Sequence, residues 1–228
     1  MKMNHKLTAV AAVACFAIFS ATASDSKTKA AAAKTPESTT SSAVTAVATA
    51  HALVRYGDAN KDALSLITAA RMIKQAGTRD GNIARTGGQA GEAKGKPDAY
   101  AVDAILARAK ALAGGRADLI AMADDVAKEG ARGASNGPNI HRDVVRANVT
   151  DVYQVSFRGG ERARVAVSGD YDTDLDLYVS DSNGNVVCKD DDSTDQAICG
   201  FSPNQAGKYS IRVVNRGRVS NAYTLLTN

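Results

Sequence analysis

Two hydrophobic periods divide this chain. From about residue 43 to 130, apolar side chains recur at spacings of three and four: Val44, Val47, Leu53, Val54 and Tyr56, then Leu64, Ile67, Met72 and Ile73. That spacing puts them on one face of a helix. Gly57 and Gly77 punctuate the two segments, and Asp58 or Asn60 is placed to cap the second. A glycine-rich stretch runs from Thr78 to Lys96. Pro97-Asp98 then opens a third helix carrying Ala101, Ile105 and Leu112, which Gly114-Gly115 stops. A fourth, with Leu119, Ile120, Met122 and Val126 on its apolar side, runs to about Lys128. The pattern predicts two alanine-rich helical hairpins. With alanine at many contact positions, each helix buries little area, so this half needs the rest of the chain or a partner to complete its core.

Residues 131–142, with glycine, proline, Ser135 and Asn136, read as a linker. Beyond them the period switches to two. Tyr153, Val155 and Phe157 alternate with Val152 and Gln154, and Ala163, Val165 and Val167 alternate with Arg162 and Arg164. Leu175, Leu177 and Val179 share a face, and Ser182-Asn183-Gly184-Asn185 is a hairpin turn signal. Tyr209, Ile211 and Val213 make a further strand, and Tyr223-Thr224-Leu225 the last. The expected fold is a two-domain α+β chain: helical hairpins at 43–130, then an antiparallel, jelly-roll-like β-sandwich at 143–228.

The N-terminus changes the setting. Lys2 and Lys6 precede a mainly apolar core from Leu7 to Phe19, and Ala21-Thr22-Ala23 is a small-x-small cleavage signal. That core is shorter than the roughly 20 residues a bilayer needs, so residues 1–23 read as a cleaved signal peptide that leaves no transmembrane anchor. Lipid attachment at Cys15 is the alternative, disfavoured by Ala12 three residues earlier. Residues 24–42 are rich in Lys, Ala, Ser and Thr and read as a disordered linker. The expected location is periplasmic or extracellular. In that compartment the two remaining cysteines, Cys188 and Cys199, are expected to pair; a zinc site would need further ligands, and none lies nearby in sequence.

Charge changes the picture less. Residues 25–142 carry a net of +5 and residues 143–228 a net of −3, but the basic residues form no run. Nucleic acid is therefore not the expected partner.

In order, the chain holds a strand ending at Phe157 and Gly159-Gly160, a strand through Val165 and Val167, and Asp174-Leu175-Asp176-Leu177-Tyr178-Val179. The Asn-Gly turn, the Cys188/Cys199 pair, Ala206-Gly207-Lys208-Tyr209 and a final Tyr-Thr-Leu follow. This ordered set resembles the bacterial pre-peptidase C-terminal (PPC) domain over residues of about 150–227. The resemblance implies a sandwich in an exported protein and a binding or accessory role. It also implies calcium and an extended protein ligand, as in the similar collagen-binding domains. No protease accompanies it, and the helical half resembles no family.

Catalytic patterns are thin. His51 lies on a helix and His141 in the linker, without a Gly-x-Ser-x-Gly elbow or a His-Glu-x-x-His pair, and no enzyme is expected. The acidic residues are the candidate metal site. Asp172, Asp174 and Asp176 would share a strand face, with Asp190, Asp191 and Asp192 on the cysteine-bounded loop. Calcium is the cation that suits such oxygens. The alternative is that they are solvated turn and edge-strand charges. Tyr171 and Tyr178 are the candidate ligand contacts, against a reading in which the tyrosines fill the sandwich rim.

The function expected is an exported, non-enzymatic binding or accessory protein that recognises a protein or cell-surface ligand. One rival is an enzyme inhibitor or protease-accessory factor working through a helical groove near Arg71, Arg108 and Asp103. Another is an envelope structural protein that self-associates through its alanine-rich helices.

Overall fold

A computed structural model describes residues 37–92, 98–130 and 137–228. The expected signal peptide and most of the expected linker at 24–42 lie outside the described residues.

Helix α1 spans Thr39–Asn60, starting a few residues earlier than its periodicity suggests because Ser38 caps it, its side chain accepting from the Ser41 amide. Val44, Val47, Ala50, His51 and Val54 form its buried face. Gly57 does not end α1; it lets α2 (Ala63–Ala76) approach, since a Cβ there would sit 2.8 Å from Leu66. The cap of α2 is neither Asp58 nor Asn60 but Asp62, which accepts from the amides of Leu64 and Ser65. Gly77 closes α2 in the left-handed conformation, as expected of it. Helices α3 (Val102–Leu112) and α4 (Ala117–Lys128) complete the second hairpin, separated by Gly114 and Gly115 at positive φ.

The strands are β1 (Arg79–Asp80), β2 (Arg85–Gly87), β3 (Asn139–Val145), β4 (Thr150–Phe157) and β5 (Ala163–Gly169). β6 (Leu175–Ser180), β7 (Val186–Asp190), β8 (Gln196–Phe201), β9 (Gly207–Asn215) and β10 (Asn221–Thr227) follow. The first sheet runs β1-β3-β10-β5-β8 and the second β2-β4-β9-β6-β7. Every pairing is antiparallel except β1 with β3. The result is the expected helical half followed by a β-sandwich.

The two halves meet in ways that periodicity does not reveal. The glycine-rich segment is not a free connection, because it supplies β1 to the first sheet and β2 to the second. The last residues of the expected 131–142 linker are the start of β3, which is paired along its whole length with β10. The helices then cover the outer face of the first sheet. Ile140, Ala166 and Leu226 belong to the same buried cluster as Val44, Leu66 and Ile105. A second cluster between the sheets holds Tyr153, Val165, Leu175, Leu177, Ile211 and Leu225. The order of layers is helices, first sheet, second sheet. The alanine-rich helices thus find their missing apolar partner in the sandwich, and the described residues fall within one compact unit, Lys34–Asn228.

Candidate functional site

The acidic residues come first, because the sequence singles them out. β6 begins at Leu175, so Asp172 and Asp174 lie in the turn before it and do not share a strand face with Asp176. Asp176 is buried and accepts from Arg216 Nε at 2.6 Å. Asp190 accepts from the Ile198 amide, Asp191 pairs with Lys189, and Asp192 caps the turn at Thr194. Burial and the neighbouring Asp176 and Asp192 carboxylates hold Asp174 above the usual carboxylate range. Among the described residues, no group of three or more His, Cys, Asp and Glu side chains is arranged to hold a metal ion. Asp176 is already paired with the Arg216 guanidinium and Asp191 with the Lys189 ammonium.

The cysteines do pair. Cys188 on β7 and Cys199 on β8 form a disulfide with their Cα atoms 5.8 Å apart. They sit within strands and do not merely bound a loop, and the bond ties an edge strand of the second sheet to an edge strand of the first.

Tyr178 projects from the outer face of the second sheet. Its ring lies under Arg212, whose guanidinium carbon is 5.1 Å from the centroid, and its hydroxyl reaches the carboxylates of Asp176 and Asp191.

Tyr171 is placed differently. It follows β5 with φ at +74°, a conformation that costs a bulky residue on the order of 1–3 kcal/mol and needs surroundings that enforce it. They are present. Asp195, buried, accepts the Tyr171 amide at 2.7 Å and pairs with Arg55 of α1; Arg55 in turn lies 4.3 Å over the Tyr171 ring. Tyr171 is edge-on to Tyr100, which stacks on His51 with centroids 4.0 Å apart and donates its hydroxyl to the Gly169 carbonyl. The remaining contact is His51 Nδ1 with Ser168 Oγ at 2.9 Å.

Of these, Tyr100, Ser168 and Tyr171 line a cavity of about 520 Å³ between the helical layer and the outer face of the first sheet. Tyr100, Tyr171, Val144 and Ala222 contribute to its wall, and two paired arginines stand beside them. Arg108 of α3 donates to Asp58 of α1 at 3.0 Å, and Arg142 of β3 bridges Asp80 and Asp98. Burial pushes His51 down to about 3, the Asp98 carboxylate opposing this only partly, so the imidazole is neutral at physiological pH. Burial likewise pushes the Tyr100 hydroxyl well above its usual range. The cavity is therefore a shaped apolar recess with paired charges around it. Arg108 lines it, but the recess lies between the helices and the first sheet and is not a groove between the helical hairpins. Arg71, which pairs with Glu129, and Asp103 are not part of its lining.

A buried polar network lies under the same region, and sequence reasoning missed it. Tyr153 donates to Asp143, Tyr223 donates to Asp151, and the two phenol oxygens are in direct contact. Arg85 of β2 pairs with both aspartates. Burial pushes Asp151 up to about 6, although the Tyr223 hydrogen bond and Arg85 act against it. Asp143 is held well below the carboxylate range by its bonds to His141, Tyr153 and Arg85, which outweigh its burial. The signal available in the sequence was weak: an arginine in a glycine-rich stretch.

The architecture defines a helix-covered antiparallel sandwich with a cross-sheet disulfide and a preformed recess. Residues 149–215 match the family model of the bacterial pre-peptidase C-terminal domain, so this segment is a PPC domain, and the match ends short of β10. No curated protein matches the chain at a significant level. Among solved structures, it is similar to the pre-peptidase C-terminal domain of a collagenase from Bacillus anthracis, at 16% identity and a TM-score of 0.34. That alignment covers 40% of this chain and 88% of that one. It is also similar to a family two carbohydrate esterase from Cellvibrio japonicus, at 12% identity and a TM-score of 0.26, over 38% of this chain and 26% of that one. Among the described residues no helix is long and apolar enough to cross a membrane.

Proposed function

We propose that the protein is exported and acts as a non-enzymatic binding or accessory protein, taking a protein or cell-surface ligand in the recess between its helices and its first sheet. The observation that carries this reading is the cavity of about 520 Å³ whose wall includes Tyr171, a strained residue clamped by Arg55 and Asp195. Strain held in place by dedicated contacts is a mark of function. An apolar recess with a few placed polar groups is the usual form of a binding site. Its size and lining suit an aromatic or aliphatic side chain of a protein ligand, with the Arg108–Asp58 and Arg142–Asp98 pairs left to meet that ligand's polar backbone. Export is supported by the N-terminal pattern, by the disulfide and by the PPC segment.

Self-association through the helices has less support. Their apolar faces pack on one another and on the first sheet, and Tyr56 and Leu64 are the large hydrophobic side chains they leave exposed among the described residues.

The test is capture from an envelope or extracellular fraction by the mature chain and by Tyr171→Gly, which deletes the ring while suiting the positive φ. The reading expects a captured ligand that the variant loses at unchanged circular dichroism. Equal capture by the two chains would refute it.

A further inference from the structure

A second cavity of about 470 Å³ lies at the start of α1, and its lining holds more basic than acidic side chains. Three arginines line it from two elements: Arg79 of β1, and Arg158 and Arg162 of the turn between β4 and β5. The one acidic side chain among its lining residues is Glu161, which stands 3.8 Å from Arg158 in a loose, exposed pair. The arginines are not equally engaged. Arg79 donates Nε to the Gly137 carbonyl, and the neighbouring Arg164, outside the lining, is paired with Glu37. Arg162, by contrast, has a buried Nε that meets no acceptor among the described residues. A buried guanidinium donor without a partner is costly, and it marks a place where an acceptor is expected. The wall opposite is the first turn of α1, with Thr39 and Thr40 in the lining and no acidic side chain in that turn. The helix dipole therefore adds to the positive potential already set by the arginines.

The geometry points to a binding site for a phosphate ester. Guanidinium groups arriving from β1 and from the β4–β5 turn, with helix-end amides and hydroxyls on a third side, surround an anion rather than presenting it with one flat edge. That arrangement suits a tetrahedral oxyanion with several acceptor oxygens better than a planar carboxylate. The cavity is also larger than a bare phosphate ion requires, which leaves space for the organic part of the ester. The ester has two chemical sources, a small soluble phosphate and a lipid headgroup. The site is separate from the recess that holds Tyr171 and shares no lining residue with it.

The experiment is calorimetric titration of the mature chain with glycerol phosphate. Flotation with phosphatidylcholine vesicles, with and without phosphatidic acid, runs in parallel. Saturable binding in either arm is expected, and the arm that responds identifies the source. Arg158→Ser, at a highly exposed position, and Arg162→Lys, which keeps the charge but loses the planar fork, should each weaken binding about tenfold, as expected for a lost charge-assisted contact. Arg218→Ser, outside the lining, should leave it unchanged. Absence of binding in both arms up to about 20 mM ester, a range in which even millimolar affinity would register, overturns the proposal. Equal affinity of the Arg158 and Arg162 variants and the unmodified protein overturns it too.

Discussion

Asp195→Asn tests whether the clamp on Tyr171 holds the helices to the sandwich. Asp195 is 3% exposed; its carboxylate accepts the Tyr171 amide and pairs with Arg55, and its carbonyl accepts the Gly169 amide. Asparagine keeps the size and one acceptor oxygen but removes the charge. Breaking a fully buried ion pair costs about 3–5 kcal/mol, because the surviving charge is stranded. Here the Arg55 side chain is 26% exposed and part of its solvation survives, so about 2–3 kcal/mol is the reasoned loss. For a unit of this size each kcal/mol moves Tm by about 2–4 °C, which gives a fall of about 4–12 °C. The assay is urea unfolding with a double-mutant cycle against Arg55→Met. If the pair is the source, the two substitutions together cost less than the sum of each alone, with a coupling above about 1 kcal/mol. A single-mutant loss below about 0.5 kcal/mol, or additivity, would refute the clamp and with it the enforced conformation of Tyr171.

Other outcomes follow from the same structure. Asp151, pushed up to about 6 from the usual 3.8, binds its proton more tightly folded than unfolded. Its contribution is fully present below about pH 4 and is lost as pH rises through 6. Asp151→Asn should therefore gain on the unmodified protein between pH 4 and 6 in urea midpoints; a difference constant across that range contradicts the assignment. His51, held neutral at low pH, acts with the opposite sign in an overlapping window, and the comparison of the two chains cancels it. Reduction of Cys188–Cys199, or Cys188→Ala with Cys199→Val, should cost about 2–4 kcal/mol, because the bond joins edge strands of separate sheets; an unchanged midpoint would show that the strands hold without it. Calcium should leave Tm unchanged, since Asp176 is paired with Arg216 and Asp191 with Lys189; a saturable rise would show that the acidic turns rearrange into a site.

The legible parts of the fold were those in which one face of an element is apolar and its ends carry a turn residue. β6, with Leu175, Leu177 and Val179 inward, and the Asn183-Gly184 turn, with Gly184 at φ +84°, needed only local rules. The helices were legible for the same reason, though Asp62 outcompeted Asp58 and Asn60 as a cap because α1 runs through Gly57. β1 and β2 were not legible. They are two and three residues long, exposed or half-buried, and exist because a sheet edge is available to pair with. The candidate site divides likewise. Tyr171 was named in the sequence as a candidate ligand contact, but the recess beside it draws residues from α1, α3, β3, β5 and β10, which only the tertiary fold brings together. The shared face expected of Asp172, Asp174 and Asp176 does not form, because alternation in sequence implies one face only inside a strand, and β6 starts after Asp174.

Hydrogen exchange on the mature chain, alone and with its captured ligand, tests the recess most directly. The account predicts added protection at residues 98–100, 142–144, 168–171 and 222–224, the segments that line the recess. Protection confined to the open face around Tyr178, with none at those segments, would contradict it.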